Sequence, residues 1–359
     1  MSTDRKHQPK QSSNGVNLSY KKSGVDIDTA NDTKKKMADI LESSDARVLN
    51  RVGAFASLYD GHFPEYQHPV LVLKTEEPGS KQKIAFEHDS VESVCHDLVN
   101  HLVNDAIVMG AKPLSVQDCI VCGKLEKDTV LRVVSAMSEA CKENTCVLTG
   151  GETSEQPNVI EAGTYILTAS IVGVVEKDRI IDGARIKEGD TVLALVSSGV
   201  HTNGFSLIRK LMEESPELLK EKVGGKTFIE EILTPHRAYY AAVKDLFDHE
   251  GLTGLAHITG GGIAENLDRI LPKGLSAHID LSKIRTLPIF GLLKRYGKID
   301  DADMLRTFNV GVGMIAVVRK EFAEEAVAHL KGMEVESYEI GSVERGAGDV
   351  VFSSALQWN

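Results

Sequence analysis

The chain has 359 residues, 42% of them hydrophobic and 26% charged, with a formal net charge of -11 and a mean hydropathy of -0.13. These values exclude a disordered or fibrous chain, and the acidic balance argues against nucleic-acid phosphates or an anionic membrane face as partner, because both reward basic surfaces. A phosphorylated small molecule stays open, since a few lysines, backbone amides and Mg²⁺ can hold it whatever the overall charge.

A chain of this length exceeds what one core organises, so two domains are expected. Residues 1–16 read as a polar tail without the apolar centre of a secretory signal, and no stretch approaches the ~18 apolar residues of a membrane span. A glycine turn then leads into a polar helix with Met37, Ile40 and Leu41 on one face. PVLVLKTEEPGSK is a short apolar strand closing in a Pro-Gly turn that carries acids and lysines. Over residues 89–111 the spacing of Val91, Val94, Leu98, Leu102, Ala106 and Met109 predicts a helix, and Asp97, His101, Asn104 and Asp105 share a neighbouring face. A strand over 113–121 and an amphipathic helix over 128–143, burying Val130, Val133, Val134 and Met137, come next. A further strand runs into the loop GGETSEQPN, and a long strand over 164–175 precedes the charged passage between domains, with the boundary near residue 176.

The second half opens with the strand TVLALV, which ends in SSGVHTNG and hands over to the helix FSLIRKLM. HITGGG leads into the helix IAENLDRIL, TFNVGVGMIAVV is a strand, KEFAEEAVAHL a helix and YEIGSVE the last strand. Interleaved strands and helices predict an α/β (α+β) architecture with domains at 17–176 and 177–345 and a C-terminal tail at 346–359. The five cysteines are odd in number and lie within or beside apolar runs, which favours reduced thiols and a cytoplasmic protein; the Cys119-Cys122 pair lacks a second pair at zinc spacing and reads as core packing.

Four loops combine glycine with polar groups: residues 74–81, 149–157, 197–204 and 257–262. Each alone is compatible with a tight turn, whereas four together favour phosphate handling, because backbone amides reach phosphate oxygens where no side chain blocks the approach. In the first loop Lys74 and Lys81 are candidates to neutralise phosphates, with Glu76 and Glu77 as hard oxygen ligands for Mg²⁺. The oxygen-bearing face of Asp97, Asn104 and Asp105 beside an apolar stripe is costly to bury without a cation or donor partner, and suits metal or ATP use. His201 and His257 have the chemistry of general acids or bases; His101 is read as an interior histidine.

Taken in order, SYKKSGVDID, HDLVNHLVNDAIVMGAKP, GKLEKDT, GGETSEQP, VGVVEKDRIIDG, SSGVHTNGFSLIRKL, HITGGG, EN and RTFNVGVGM resemble the phosphoribosylformylglycinamidine cyclo-ligase family over residues 20–343. The resemblance implies a homodimer whose N-terminal domains build a shared β-barrel, with ATP against the barrel loops and a C-terminal α/β domain completing the cleft. It implies an ATP-dependent ligase with Mg²⁺ that phosphorylates the formamide oxygen of a phosphoribosyl substrate, after which an amidine-derived nitrogen closes the ring. Carried over residue by residue, Lys21, Asp26, Lys74, Glu76, Gly79, Ser80, Lys81, Asp97, Asn104 and Asp105 fall at ATP, with Glu76, Asp97 and Asp105 toward the metal. Gly150, Gly151, Glu152, Thr153, Ser198, His201, Asn203, His257, Thr259, Gly260, Gly261 and Asn309 fall at the substrate, with His201, His257 and Glu152 as catalytic candidates.

One turn departs from the family pattern G-T-D-G-V-G-T-K: here it is Lys74-Thr75-Glu76-Glu77-Pro78-Gly79-Ser80-Lys81. A K-x-E turn is similar to that of the related formylglycinamidine ribonucleotide amidotransferase. A kinase or amide activator acting on another phosphorylated metabolite, and a silent nucleotide-binding paralogue, are the competing readings.

Overall fold

The computed structural model describes residues 27–41, 45–50 and 54–358; Lys21 and Asp26 lie outside them. The N-terminal half runs α1 (Ile27–Ile40), β1 (Pro69–Glu76), α2 (Lys81–Glu87), α3 (Val91–Ile107), β2 (Lys112–Cys122), α4 (Lys127–Glu143), β3 (Val147–Glu155) and β4 (Tyr165–Glu176). Its four strands form one sheet in the order β1-β4-β2-β3, antiparallel except for the β2-β3 pair. Helices α3 and α4 bury the apolar positions that the sequence spacing singled out, with Val94, Leu98, Leu102 and Ala106 facing Val130, Val133, Val134 and Met137 in one core.

Two local expectations change. Helix α2 starts at Lys81, inside what read as a turn. The segment GGETSE is strand, not loop, because it pairs with β2 through a register shift near Asp118. Gly151 is required there: a Cβ would lie 1.9 Å from the Asp118 carbonyl oxygen.

The C-terminal half runs β5 (Thr191–Val196), α5 (Phe205–Glu214), a hairpin of β6 (Lys222–Val223) and β7 (Lys226–Thr227), α6 (Phe228–Ile232), α7 (Tyr240–Val243), β8 (Leu252–His257) and α8 (Gly262–Leu267). It continues through β9 (Leu275–Asp280), α9 (Pro288–Gly297), α10 (Asp301–Thr307), β10 (Val312–Val318), α11 (Ala323–Gly332), β11 (Ser337–Arg345) and β12 (Val350–Ser353). Six strands pair in the order β12-β9-β11-β5-β10-β8, and β8 and β10 are buried along their whole length, which explains the apolar run of β10. The described part of the expected C-terminal tail, residues 346–358, packs on the domain: β12 pairs parallel with β9, Leu356 joins the core, and Trp358 Nε1 donates to Asp301 Oδ1 at 3.0 Å. Only four residues long and set off by a Gly-containing turn, β12 carries too little pattern to be seen beforehand.

Candidate active site

Helix α3 lays its polar face along residues 234–239 of the C-terminal half. Asp97 Oδ1 accepts from the His236 N–H at 2.7 Å, and Asn100 donates to the His236 carbonyl at 2.7 Å. Asn104 donates to the Arg237 carbonyl at 2.8 Å and accepts from the Tyr239 N–H at 3.1 Å. Side chains about one helical turn apart thus pair with successive backbone groups, much as a neighbouring strand would.

Lys81 completes this seam. Its fully buried ammonium donates to Asp97 Oδ1 at 2.9 Å, to the Thr234 carbonyl at 2.9 Å and to the His201 carbonyl at 3.1 Å, and it lies 2.8 Å from Asp97 Oδ2. Burial pulls the lysine pKa down and the aspartate pKa up, and their pairing opposes both shifts. Lys81, Asp97 and Asn104, expected at ATP and the metal, are therefore engaged inside the fold. The partners that Asp97 and Asn104 find are the Lys81 ammonium and one backbone segment, residues 236–239.

Asp105, the residue after Asn104, borders open space instead. It lines a cleft of about 550 Å³ together with Lys74, Glu76, Asn203, His257, Thr259, Gly260 and Arg269. Alternation along β1 puts Lys74 and Glu76 on the same face. Lys74 Nζ lies 2.9 Å from Glu76 and 3.0 Å from Asp105 Oδ2, bridging two carboxylates that are 25% and 19% exposed. Burial pulls Lys74 down, but the two carboxylates outweigh it and raise its pKa. Asp105 is held well below the usual carboxylate range: burial works against ionisation, and hydrogen bonding from His257 overcomes it, with His101 and Lys74 assisting. A second cleft of about 360 Å³ takes Gly79 and Ser80 from one half and Thr202 to Leu207 from the other, and Asn203 borders both.

Of the histidines expected to touch substrate, His257 borders this cleft and His201 is buried away from it. His257 Nδ1 lies 2.7 Å from Asp105 Oδ1 and its Nε2 lies 2.9 Å from His236 Nε2, so both ring nitrogens are occupied. His201, 1% exposed and at φ 62°, accepts from the Ser198 N–H at 3.2 Å and stacks on His236 with ring centres 3.9 Å apart. Burial first, then neighbouring positive charge, pulls His201 and His236 well below the ordinary imidazole range. In this arrangement both ring nitrogens of His257 and Nε2 of His201 are engaged by protein groups. His236 was missed because LTPHRAYY offers no glycine or spacing signal.

Of the other expected residues, Asn309 is spent within the fold: its amide donates to the Gly199 and Val200 carbonyls at 3.0 and 3.2 Å, and its oxygen accepts from Ser197 Oγ at 3.0 Å and the Gly311 N–H at 2.8 Å. These bonds shape the 197–204 loop. Ser198 Oγ donates to the Pro235 carbonyl at 2.6 Å. Gly261, at φ 91°, caps α8, and Asn266 ties the 259–262 turn by donating to the Gly260 and Gly262 carbonyls at 3.1 and 2.8 Å. Gly150, Gly151, Glu152 and Thr153 lie on the edge strand β3 and are not among the residues lining either cleft.

Two α/β halves are thus joined by a buried polar seam, with carboxylates, an ammonium and a guanidinium on one cleft. The chain belongs to the AIR synthase related protein family: the N-terminal domain of that family matches residues 65–175 and the C-terminal domain residues 187–353. It is 41% identical over 340 residues to a protein of Caldanaerobacter subterraneus subsp. tengcongensis named phosphoribosylformylglycinamidine cyclo-ligase, covering 93% of this chain and 100% of that one. A protein of the same name from Nitrosococcus oceani is 40% identical over 327 residues, 91% of each chain. Among solved structures, the hydrogenase maturation protein HypE in complex with ATP superposes with a TM-score of 0.63 at 18% identity, covering 88% of both chains. A thiamine-monophosphate kinase from Stenotrophomonas maltophilia K279a gives 0.60 at 15% identity, covering 92% of this chain and 97% of that one. These likenesses carry the fold alone.

Proposed function

We propose that this chain is an ATP-dependent cyclo-ligase of purine biosynthesis, converting formylglycinamidine ribonucleotide into aminoimidazole ribonucleotide, ADP and phosphate. The observation that carries this is the similarity to cyclo-ligases at about 40% identity along more than nine tenths of the chain. The formamide oxygen takes the γ-phosphoryl group of ATP and becomes a good leaving group. The amidine-derived nitrogen then attacks the same carbon, phosphate departs and the ring closes; the protein supplies positioning and charge neutralisation.

Glu76 and Asp105 fit Mg²⁺ by donor type, being hard carboxylate oxygens on the cleft wall, and the family ion would add electrophilic stabilisation of the phosphates when bound. Lys74, between those carboxylates and 38% exposed, has the reach to turn toward a phosphate, and Arg269 adds a second positive group at the same cleft. Ser80, Gly79 and Asn203 offer the smaller cleft to another part of the ligands. Asp105 owes its charge to His257 behind it, so the histidine acts by orienting the carboxylate. The outer face of β1 leaves Leu71 54% and Leu73 71% exposed, which supports a homodimer through this sheet. We assign residues 17–176 to ATP and dimer contacts, residues 177–345 to the substrate cleft, and the protein to the cytoplasm.

The test is ADP release by purified protein with Mg²⁺ and ATP, screened against formylglycinamidine ribonucleotide, formylglycinamide ribonucleotide and thiamine phosphate. The proposal expects release with the first alone. Release with another of the three, or without any, contradicts it.

A further inference from the structure

Four imidazoles meet in a buried pocket of side chains where the two halves join. His101 comes from α3, His201 from the loop after β5, His236 from the segment that α3 grips, and His257 from the end of β8. One ring nitrogen from each of His201, His236 and His257 lies within 4.8 Å of the other two. The Nε2 atoms of His236 and His257 are 2.9 Å apart. Nδ1 of His201 and Nδ1 of His236 are buried without a hydrogen-bond partner among the described residues. A buried polar atom left unpaired costs about 1–3 kcal/mol, so two in neighbouring, stacked rings call for an explanation.

We propose that His201, His236 and His257 form a binding site for a divalent transition-metal ion of the Zn²⁺ class, distinct from the carboxylate site for Mg²⁺. Three neutral imidazoles suit Zn²⁺, Co²⁺, Ni²⁺ or Cu²⁺ and are poor ligands for Mg²⁺, which demands oxygen. Asp105 already stands where an outer-shell carboxylate belongs: the His257 Nδ1–H donates to it at 2.7 Å, which leaves the Nε2 lone pair, now accepting from His236 Nε2, as the ligating atom once that proton moves. Tetrahedral Zn–N bonds of about 2.0–2.1 Å place ligand nitrogens about 3.3 Å apart, so the His236–His257 pair opens by a few tenths of an ångström. The ring of His201 turns out of its stack on His236 to complete three ligands. The proton that His236 holds on Nε2 moves to its own Nδ1, and the proton that His201 holds on Nδ1, because its Nε2 accepts from the Ser198 N–H, moves to Nε2 so that Nδ1 ligates and all three rings stay neutral. The site ties the N-terminal half to the C-terminal half through Asp105 and makes a structural rather than a chemical use of the ion.

The experiment uses the full chain, stripped with chelator and dialysed against Zn²⁺ or Co²⁺ alone, with metal content measured by elemental analysis. One Zn²⁺ per chain is expected, unaffected by excess Mg²⁺, and Co²⁺ should show visible ligand-field absorption of low symmetry. His236→Asn and His201→Asn should each weaken Zn²⁺ binding about a hundredfold or more, and Asp105→Asn about tenfold through its hold on His257. His62→Asn, on the exposed surface, should leave it unchanged. Circular dichroism in metal-free buffer shows whether each variant folds; if one does not, the wild-type Co²⁺ spectrum and stoichiometry decide. Absence of stoichiometric Zn²⁺ in the wild type, or equal affinity in wild type and folded His236→Asn, overturns the proposal. Because no step reads turnover, this result is independent of the cyclo-ligase assignment.

Discussion

Replacing Lys81 by Met probes the seam that holds the cleft together. The ammonium is fully buried and makes contacts of 2.8 to 3.1 Å to Asp97 and to the carbonyls of Thr234 and His201. Removing it leaves the Asp97 carboxylate without its counter-charge, a change that costs about 3–5 kcal/mol, while the two carbonyls lose a donor. The sign of the pH effect follows. With the ammonium gone, the folded-state pKa of Asp97 rises further above its unfolded value, so the folded state binds the extra proton and the cost shrinks as pH falls through that pKa. Lys81→Met combined with Asp97→Asn removes both charges yet keeps an acceptor for the His236 N–H, and should recover a few kcal/mol relative to the single variant. The assay is denaturant unfolding of wild type, both single variants and the double variant at neutral and mildly acidic pH. A coupling energy within about 0.5 kcal/mol of zero would refute the pairing.

Acid should destabilise the metal-free protein. Burial lowers the folded-state pKa of His101 to about 4 and those of His201 and His236 well below normal, so from about pH 6.5 downward the unfolded chain takes up protons that the folded one refuses, and stability present above 6.5 is lost. Each imidazole contributes a slope of about 1.4 kcal/mol per pH unit; Asp118, pushed up to about 7 by burial, and Asp97 act oppositely, so one to two net protons remain in unfolding titrations. Gly262→Ala, at φ 63° with a Cβ 1.7 Å from the Leu305 carbonyl oxygen, should cost about 2–5 kcal/mol by thermal or denaturant unfolding. Asp105→Ala should cut turnover by about a hundredfold or more while circular dichroism stays that of the wild type; surviving turnover would remove Asp105 from the site.

Periodicity carried the fold well where elements were long. The apolar stripes of α3 and α4 and the run of β10 follow from burial on one face or two and were legible, whereas β8, interrupted by Thr253, Gly254 and His257, was not read as a strand. Short elements were not: α2 begins inside a turn-like string, and β12 has only four residues. The polar face of α3 was also visible, but its use was not. Buried Asp97 and Asn104 and half-buried Asp105 all demand partners, and sequence spacing cannot distinguish a bound cation from Lys81 or a backbone segment more than 130 residues away. The glycines in GGETSE show the same ambiguity, since close strand approach and phosphate approach both require an absent side chain. His236 enters through tertiary packing alone.

The most direct test of the central claim follows product rather than ADP: purified protein, formylglycinamidine ribonucleotide, ATP and Mg²⁺, with aminoimidazole ribonucleotide quantified by mass spectrometry beside ADP. Equimolar formation of the two is expected. ADP formed with the substrate left unclosed, or no product at all from folded protein, would contradict the account.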